Sequence, residues 1–166
     1  MSVRAPVRLG ALLALAALAA CSYSTKRLTD FPGARTIAVL PFENTGFRRD
    51  LELRLGQAVA TEIRARTNLA FATPQTADLL LTGTASAEEY AIGLDENGQV
   101  IQKRLEGVLA VRVTERATGR VRREAFIRAT EEFRPLIQGE SLAGTGTDEW
   151  ARRIAEQVVQ ELEAGF

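Results

Sequence analysis

Apolar residues along this chain follow two periods, and the switch between them outlines the elements. Leu51, Leu55, Val59 and Ile63 recur at four-residue steps with Ala58 beside them, which lines one side of a helix. That helix is predicted from Asp50, a residue type that caps helix starts, to about Thr67. Arg64 and Arg66 fall in its last turn, where cations complement the helix dipole, and Asn68 is a reasonable stop. A second stripe, Trp150, Ile154, Val158 and Leu162, predicts another helix. Thr147 is its expected cap, Asp148 and Glu149 its acidic first turn and Gly165 its end.

The remaining apolar runs read as strands. Residues 36–42 are compact and β-branched, with Pro41 marking the strand's end because proline donates nothing to a ladder. Residues 69–71 suit a short strand before the break at Pro74. Residues 79–90 and 102–114 form two longer strands joined through Asp95-Glu96-Asn97-Gly98, where Asn-Gly is a strong hairpin signal. Leu105, Leu109, Val111 and Val113 alternate with Arg104, Ala110, Arg112 and Thr114, the period of a strand with one buried face. Residues 121–133 follow as a further strand, and residues 135–146 as a loop rich in glycine and polar residues. The expected fold is α+β: two helices packed on one face of a mostly antiparallel sheet of about four strands. The glycines 144 and 146 before the second helix lack the longer pattern and the lysine of a phosphate cradle.

The first 20 residues stand apart. Arg4 and Arg8 precede an apolar stretch from Leu9 to Ala17, no acidic residue occurs before position 30, and Leu18-Ala19-Ala20-Cys21 contains the only cysteine. This is the layout of an export signal, and its last four residues resemble a bacterial lipobox, in which cleavage precedes a cysteine that is then acylated. The apolar stretch is well short of the roughly 20 residues that a spanning helix needs. The chain is therefore expected to comprise a signal peptide at 1–20, a lipid-anchored tether at 21–35 and one domain at 36–166. Several acyl chains hold far more tightly than the marginal grip of one. Ser22, in place of an aspartate after the cysteine, resembles the sorting pattern for the outer membrane, which implies its periplasmic face.

Composition narrows the chemistry by subtraction. Without Arg4 and Arg8 the chain carries 19 basic and 21 acidic residues, so no clustered excess of positive charge points to nucleic acid. Histidine is absent, and the only lysines are Lys26 and Lys103. Histidine bases, histidine-dependent triads and His/Cys zinc sites are excluded, and disulfides within the chain with them. Carboxylate-only catalysis needs two converging acids with separated pKa values; the pairs Glu88-Glu89, Glu131-Glu132 and Asp148-Glu149 read instead as solvated strand ends and a helix start. No catalytic residue, metal site or cofactor is expected.

The mature chain resembles the lipopolysaccharide-assembly lipoprotein family, LptE. The matching segments are Cys21-Ser22-Tyr23, then Thr36 through Asn44, the Leu51-Glu52 that opens the first helix, Ala77 through Gly83 and Tyr90. Leu109 through Val113 with Thr118-Gly119 follow, and finally the tryptophan-bearing helix ending in Gly165-Phe166. Their order and spacing carry the likeness. The resemblance implies a protein that is not an enzyme, seated as a plug in the large outer-membrane β-barrel LptD, supporting barrel assembly and delivery of lipopolysaccharide to the outer leaflet. Two departures are Ser22, where members often have glycine, and the acidic Asp95 and Glu96 at the hairpin tip, since lipid A phosphates favour cations. Lys103 and Arg104 are the expected lipopolysaccharide contacts, with Arg122 and Arg123 as alternatives. The opening strand also resembles curli-secretion subunits and penicillin-binding-protein activators, which leaves a secretion-pore accessory or a peptidoglycan-synthase activator as the alternative.

Overall fold

The structure, a computed structural model, describes residues 29–46, 48, 50–135 and 145–164. Cys21, most of the 135–146 loop and the expected stop at Gly165 lie outside the described residues. The elements run β1 (Thr36–Val39), β2 (Glu43–Asn44), α1 (Leu51–Arg66), β3 (Ala70–Phe71), β4 (Leu79–Leu94), β5 (Val100–Glu115), β6 (Val121–Phe133) and α2 (Thr145–Ala164). One six-stranded sheet has the order β3-β1-β4-β5-β6, with β2 also beside β4.

The expected α+β class holds, and the sheet is richer than about four strands. The long ladders β4–β5 and β5–β6 are antiparallel, a meander built on short turns. Three short pairings, β1 with β3, β1 with β4 and β2 with β4, are parallel. Parallel neighbours need a crossover, and α1 supplies the one between β1 and β3. β1 ends at Val39, ahead of Pro41, and β2 begins only at Glu43, so the strand expected over 36–42 is shorter than its apolar run. Both helices lie on one face of the sheet, α2 chiefly over β6 and against α1.

The stripes pack as the periodicity requires. Leu51, Leu55, Val59 and Ile63 are fully buried, as are Trp150, Ile154, Val158 and Leu162, against Leu79, Leu81, Leu105 and Leu109 of the sheet. The packed body begins upstream of β1: Phe31 is 5% exposed within this core, and Thr29 bridges to Thr67. Asp78 fastens β1 to the start of β4, its Oδ2 accepting from the amides of Arg35 and Thr36 at 2.8 and 2.9 Å and from the Thr36 hydroxyl at 2.9 Å.

Both expected caps are corrected. Asp50 precedes α1 but sits in the left-handed region (φ 60°) and makes no side-chain capping bond. Its carbonyl accepts the amide of Arg54 instead. Thr147 lies inside the first turn of α2, because the helix starts two residues earlier. It is 1% exposed, and its hydroxyl has no partner among the described residues.

Candidate interaction surface

The strand charges expected to touch lipopolysaccharide are already engaged by neighbouring strands. Lys103 lies on β5 opposite Ala91, and its Nζ is 2.6 Å from Glu89 Oε1. Arg48 pairs with the same carboxylate. Burial pushes the Glu89 carboxyl up, but the hydrogen bonds from Lys103 and Arg48 outweigh it and hold it below its ordinary range. Arg104, on the opposite face of β5, donates from Nε and Nη2 to Glu132 Oε1 at 3.0 and 2.8 Å, with Glu106 at 3.6 Å. The Glu132 contact raises the affinity of its guanidinium for its proton. Arg122 pairs with Glu115 and Arg123 with Glu161. All four candidate cations are thus locally neutralised.

The carboxylates of the three acidic pairs are engaged by neighbouring donors. Glu88 accepts the Tyr90 hydroxyl, Glu131 pairs with Arg153 at 2.8 Å, Asp148 with Arg54, and Glu149 with Arg152. Glu88 and Glu89 lie within β4 rather than at its end, because the strand continues to Leu94. Among the described residues no group of three or more potential metal-ligating side chains converges.

Two features stand clear of the packed body. The first is the end of the β4–β5 hairpin. β6 stops pairing at Lys103↔Phe133, so the hairpin continues beyond it as a two-stranded ribbon, with register shifts between Ala91 and Leu94. Such shifts strengthen local twist. Leu94 pairs with Val100, and the tip closes through Gly98 N–H to Asp95 O at 3.0 Å. Asp95 Oδ1 accepts the amides of Asn97 and Gln99, each at 2.8 Å, and Gly98 takes the left-handed φ of 76° that glycine tolerates. Leu94 and Ile101 are 60% and 49% exposed, with Ile92 and Val100 also outward. The predicted strands stopped at residues 90 and 102, and this apolar ribbon was missed. Its signal was apolar residues on both sides of the turn.

The second feature is the sheet face opposite the helices. Thr84, Ala110 and Phe126 form one cross-strand row there, within a shallow depression of about 630 Å³. Phe126 is exposed, with the Arg128 guanidinium 5.2 Å from its ring centre.

The sequence profile of the LptE family, described as lipopolysaccharide-assembly, matches residues 34–164, which takes in every element of the fold. The chain belongs to the LptE family. No curated protein matches the chain. Solved structures similar to this LptE-family chain include the hypothetical protein CT253 from Chlamydia trachomatis, at 11% identity and TM-score 0.55, over 79% of this chain and 96% of that one. A minor lipoprotein from Acinetobacter baumannii is similar at 11% identity and TM-score 0.51, over 79% and 94%. The rare lipoprotein B from Shewanella oneidensis gives 15% identity and TM-score 0.46, over 76% and 94%. At these identities the first two likenesses establish a shared fold. Among the described residues, no helix of the LptE-family chain is long and apolar enough to cross a membrane.

Proposed function

We propose that this LptE-family chain is a lipoprotein anchored through Cys21 to the periplasmic face of the outer membrane. There it docks as a plug in an LptD-type β-barrel, supports that barrel's assembly and assists insertion of lipopolysaccharide into the outer leaflet. It carries out no chemistry of its own. The observation that carries this reading is the family match across residues 34–164.

The geometry is in keeping with it. Thr29 lies beside the ends of both helices, bridged to Thr67 and donating its hydroxyl to Glu163 at 2.7 Å. That is the Leu79 end of β4, whereas the hairpin tip lies at the other. Sixteen strand residues at roughly 3.3 Å each separate the two ends by about 50 Å. An anchor at Cys21 therefore holds one end of the body, leaving the tip to reach along a barrel.

Contact with lipopolysaccharide through Lys103 and Arg104 belongs to the same reading. It requires each cation to exchange its carboxylate, Glu89 or Glu132, for a phosphate. Binding of lipopolysaccharide by the double variant Lys103→Ala/Arg104→Ala should fall, while Glu132→Gln, which releases Arg104, should strengthen it. Unchanged binding in both would remove these residues from the contact.

The docking test is co-purification of the carboxyl-terminally tagged full chain from outer membranes in mild detergent. A stoichiometric large β-barrel, depleted from the membrane when this chain is depleted, is expected. Recovery of a peptidoglycan synthase or of a homo-oligomeric ring instead would refute the reading.

A further inference from the structure

We infer that the outer edge of β6 is an interface for a second copy of this chain, the two strands pairing antiparallel about a two-fold axis at Ile127 to make one continuous sheet. The inference goes beyond barrel docking and rests on no contact with the barrel.

β6 is a sheet edge left open. It pairs with β5 alone, and among the described residues no backbone bond reaches its other side. The opposite edge of the sheet is blunted, since β3 has only two residues and Pro74 follows soon after. β6 runs for 13 residues without proline or glycine. A long edge with neither device is a template for another strand.

The ladder fixes which residues can pair there. Glu115 N–H donates to Arg120 O on the β6 side, and Arg116 N–H donates to Asp78 O on the β4 side. Alternation therefore turns the odd-numbered residues of β5 toward β6, where their partners from Arg123 to Glu131 are odd-numbered too. The backbone groups of Glu124, Phe126, Arg128 and Thr130 point outward, and an incoming strand must bond to them.

Charge selects that strand. β6 is complementary to itself about Ile127: Arg122 and Arg123 mirror Glu132 and Glu131, and Phe126 mirrors Arg128. With Ile127 on the axis, Phe126 exchanges backbone bonds with the partner's Arg128, Glu124 with the partner's Thr130, and Arg123 stands opposite the partner's Glu131. Arg128 has no carboxylate among the described residues; its guanidinium lies 5.2 Å from the exposed Phe126 ring of its own chain. Pairing gives it a second ring, that of the partner's Phe126. Sliding one copy by two residues spoils the match. In one direction Arg128 meets Arg128 and Glu124 meets Glu132, like charges that destabilise a cross-strand pair. In the other, Arg123 meets Ala129 and Glu131 meets Val121.

The second helix repeats the pattern. Arg153 and Glu161 project from α2 onto Glu131 and Arg123, at 2.8 Å each, and stand four residues to either side of Gln157. The same axis brings Arg153 beside the partner's Glu161, so the two helices meet through opposite charges. Glu161, Arg123, the partner's Glu131 and the partner's Arg153 then form a row of alternating sign. Such an isologous contact uses up both edges and closes at two copies, which separates it from a ring.

The test uses the full chain extracted in mild detergent. Glu124→Cys and Thr130→Cys are oxidised separately and as a mixture, with the unaltered chain as control for Cys21. The mixture should give a disulfide-linked dimer, because these positions oppose one another. Neither variant alone should, since its two copies lie roughly 20 Å apart along the ladder. In sedimentation the unaltered chain should show a monomer–dimer equilibrium. Arg128→Glu should weaken it about tenfold, its effect being counted twice across the axis. Thr130→Pro should leave only monomer, since proline offers no outward N–H yet is tolerated on an edge strand. Circular dichroism matching the wild type checks that both variants fold. A chain that stays monomeric at every concentration, a single cysteine variant that crosslinks as readily as the mixture, or an undiminished dimer in folded Arg128→Glu overturns the inference. None of these outcomes bears on whether the barrel co-purifies, so the docking reading is judged apart.

Discussion

Trp150 shows how one residue ties the helical layer to the sheet. Its indole is fully buried, and its Nε1–H donates to the Ala129 carbonyl at 2.9 Å. A Cβ on Gly107 would lie 2.5 Å from the indole Cζ2 and 2.8 Å from the Ala87 Cβ, so a residue without a side chain is required under the ring. Trp150→Ala should cost about 3–5 kcal/mol, read from urea denaturation of the purified protein. Gly107→Ala should cost about 1–3 kcal/mol by overpacking. The double variant should cost less than the sum, since removing the indole relieves part of the clash; strict additivity would mean that the two residues are not in contact. Trp150 was legible as a stripe residue, but Gly107 was not, because a glycine in a strand says nothing about which ring will cover it.

Asp78 is the other residue on which the layout turns. The amide of Arg35 and the hydroxyl of Thr36 hold its carboxyl below its ordinary value of 3.8, outweighing the effect of burial. A carboxylate held low in the folded state contributes stability that is present above its unfolded pKa and lost as pH falls through the folded one. Asp78→Asn should therefore lower stability at pH 7 and flatten the loss of stability below about pH 4. An unchanged acid limb would show that the bonds to residues 35 and 36 contribute nothing. The caps were misread for a related reason. Residue type alone suggested Asp50 and Thr147, whereas the left-handed backbone at Asp50 and the earlier start of α2 left both without a capping role.

At the scale of elements, the helices and β6 were legible because a single period spans each. Val121–Phe133 agrees with the run marked by turn residues on either side. The short strands β2 and β3 owe their pairing to β4 and β1, so their parallel register is a tertiary outcome. The hairpin end was hidden because bulges interrupt its alternation. It also lacks β6 and both helices as support, and amide exchange should separate it from the rest of its own strands. Residues 91–102 should exchange well before residues 79–90 and 103–115 in the free protein. Uniform protection along both strands would contradict the two-stranded description of the end.

At the scale of the whole molecule, function was readable only as an order of segments. No single residue announces lipopolysaccharide assembly, and the match over residues 34–164 rests on elements arranged in sequence. The candidate contacts Lys103 and Arg104 were legible as charges, but their carboxylate partners come from strands 14 and 28 residues away, which only the sheet register brings together. The anchor proposed at Cys21 belongs to this scale because it would decide where the domain works. Cys21→Ser should abolish incorporation of labelled palmitate and release the protein from membranes on fractionation. Continued retention of that variant in washed membranes would point to attachment through the folded body alone.

Trp150 is the chain's single tryptophan, and its sealed position between α2 and β6 makes the protein its own optical gauge. Emission should be blue-shifted and resistant to acrylamide in the folded chain. It should stay so while α2 remains packed and shift to the red only when α2 lifts from the sheet. Unfolding can thus be followed on the unlabelled protein, with intrinsic fluorescence reporting whether the helical layer still sits on the sheet.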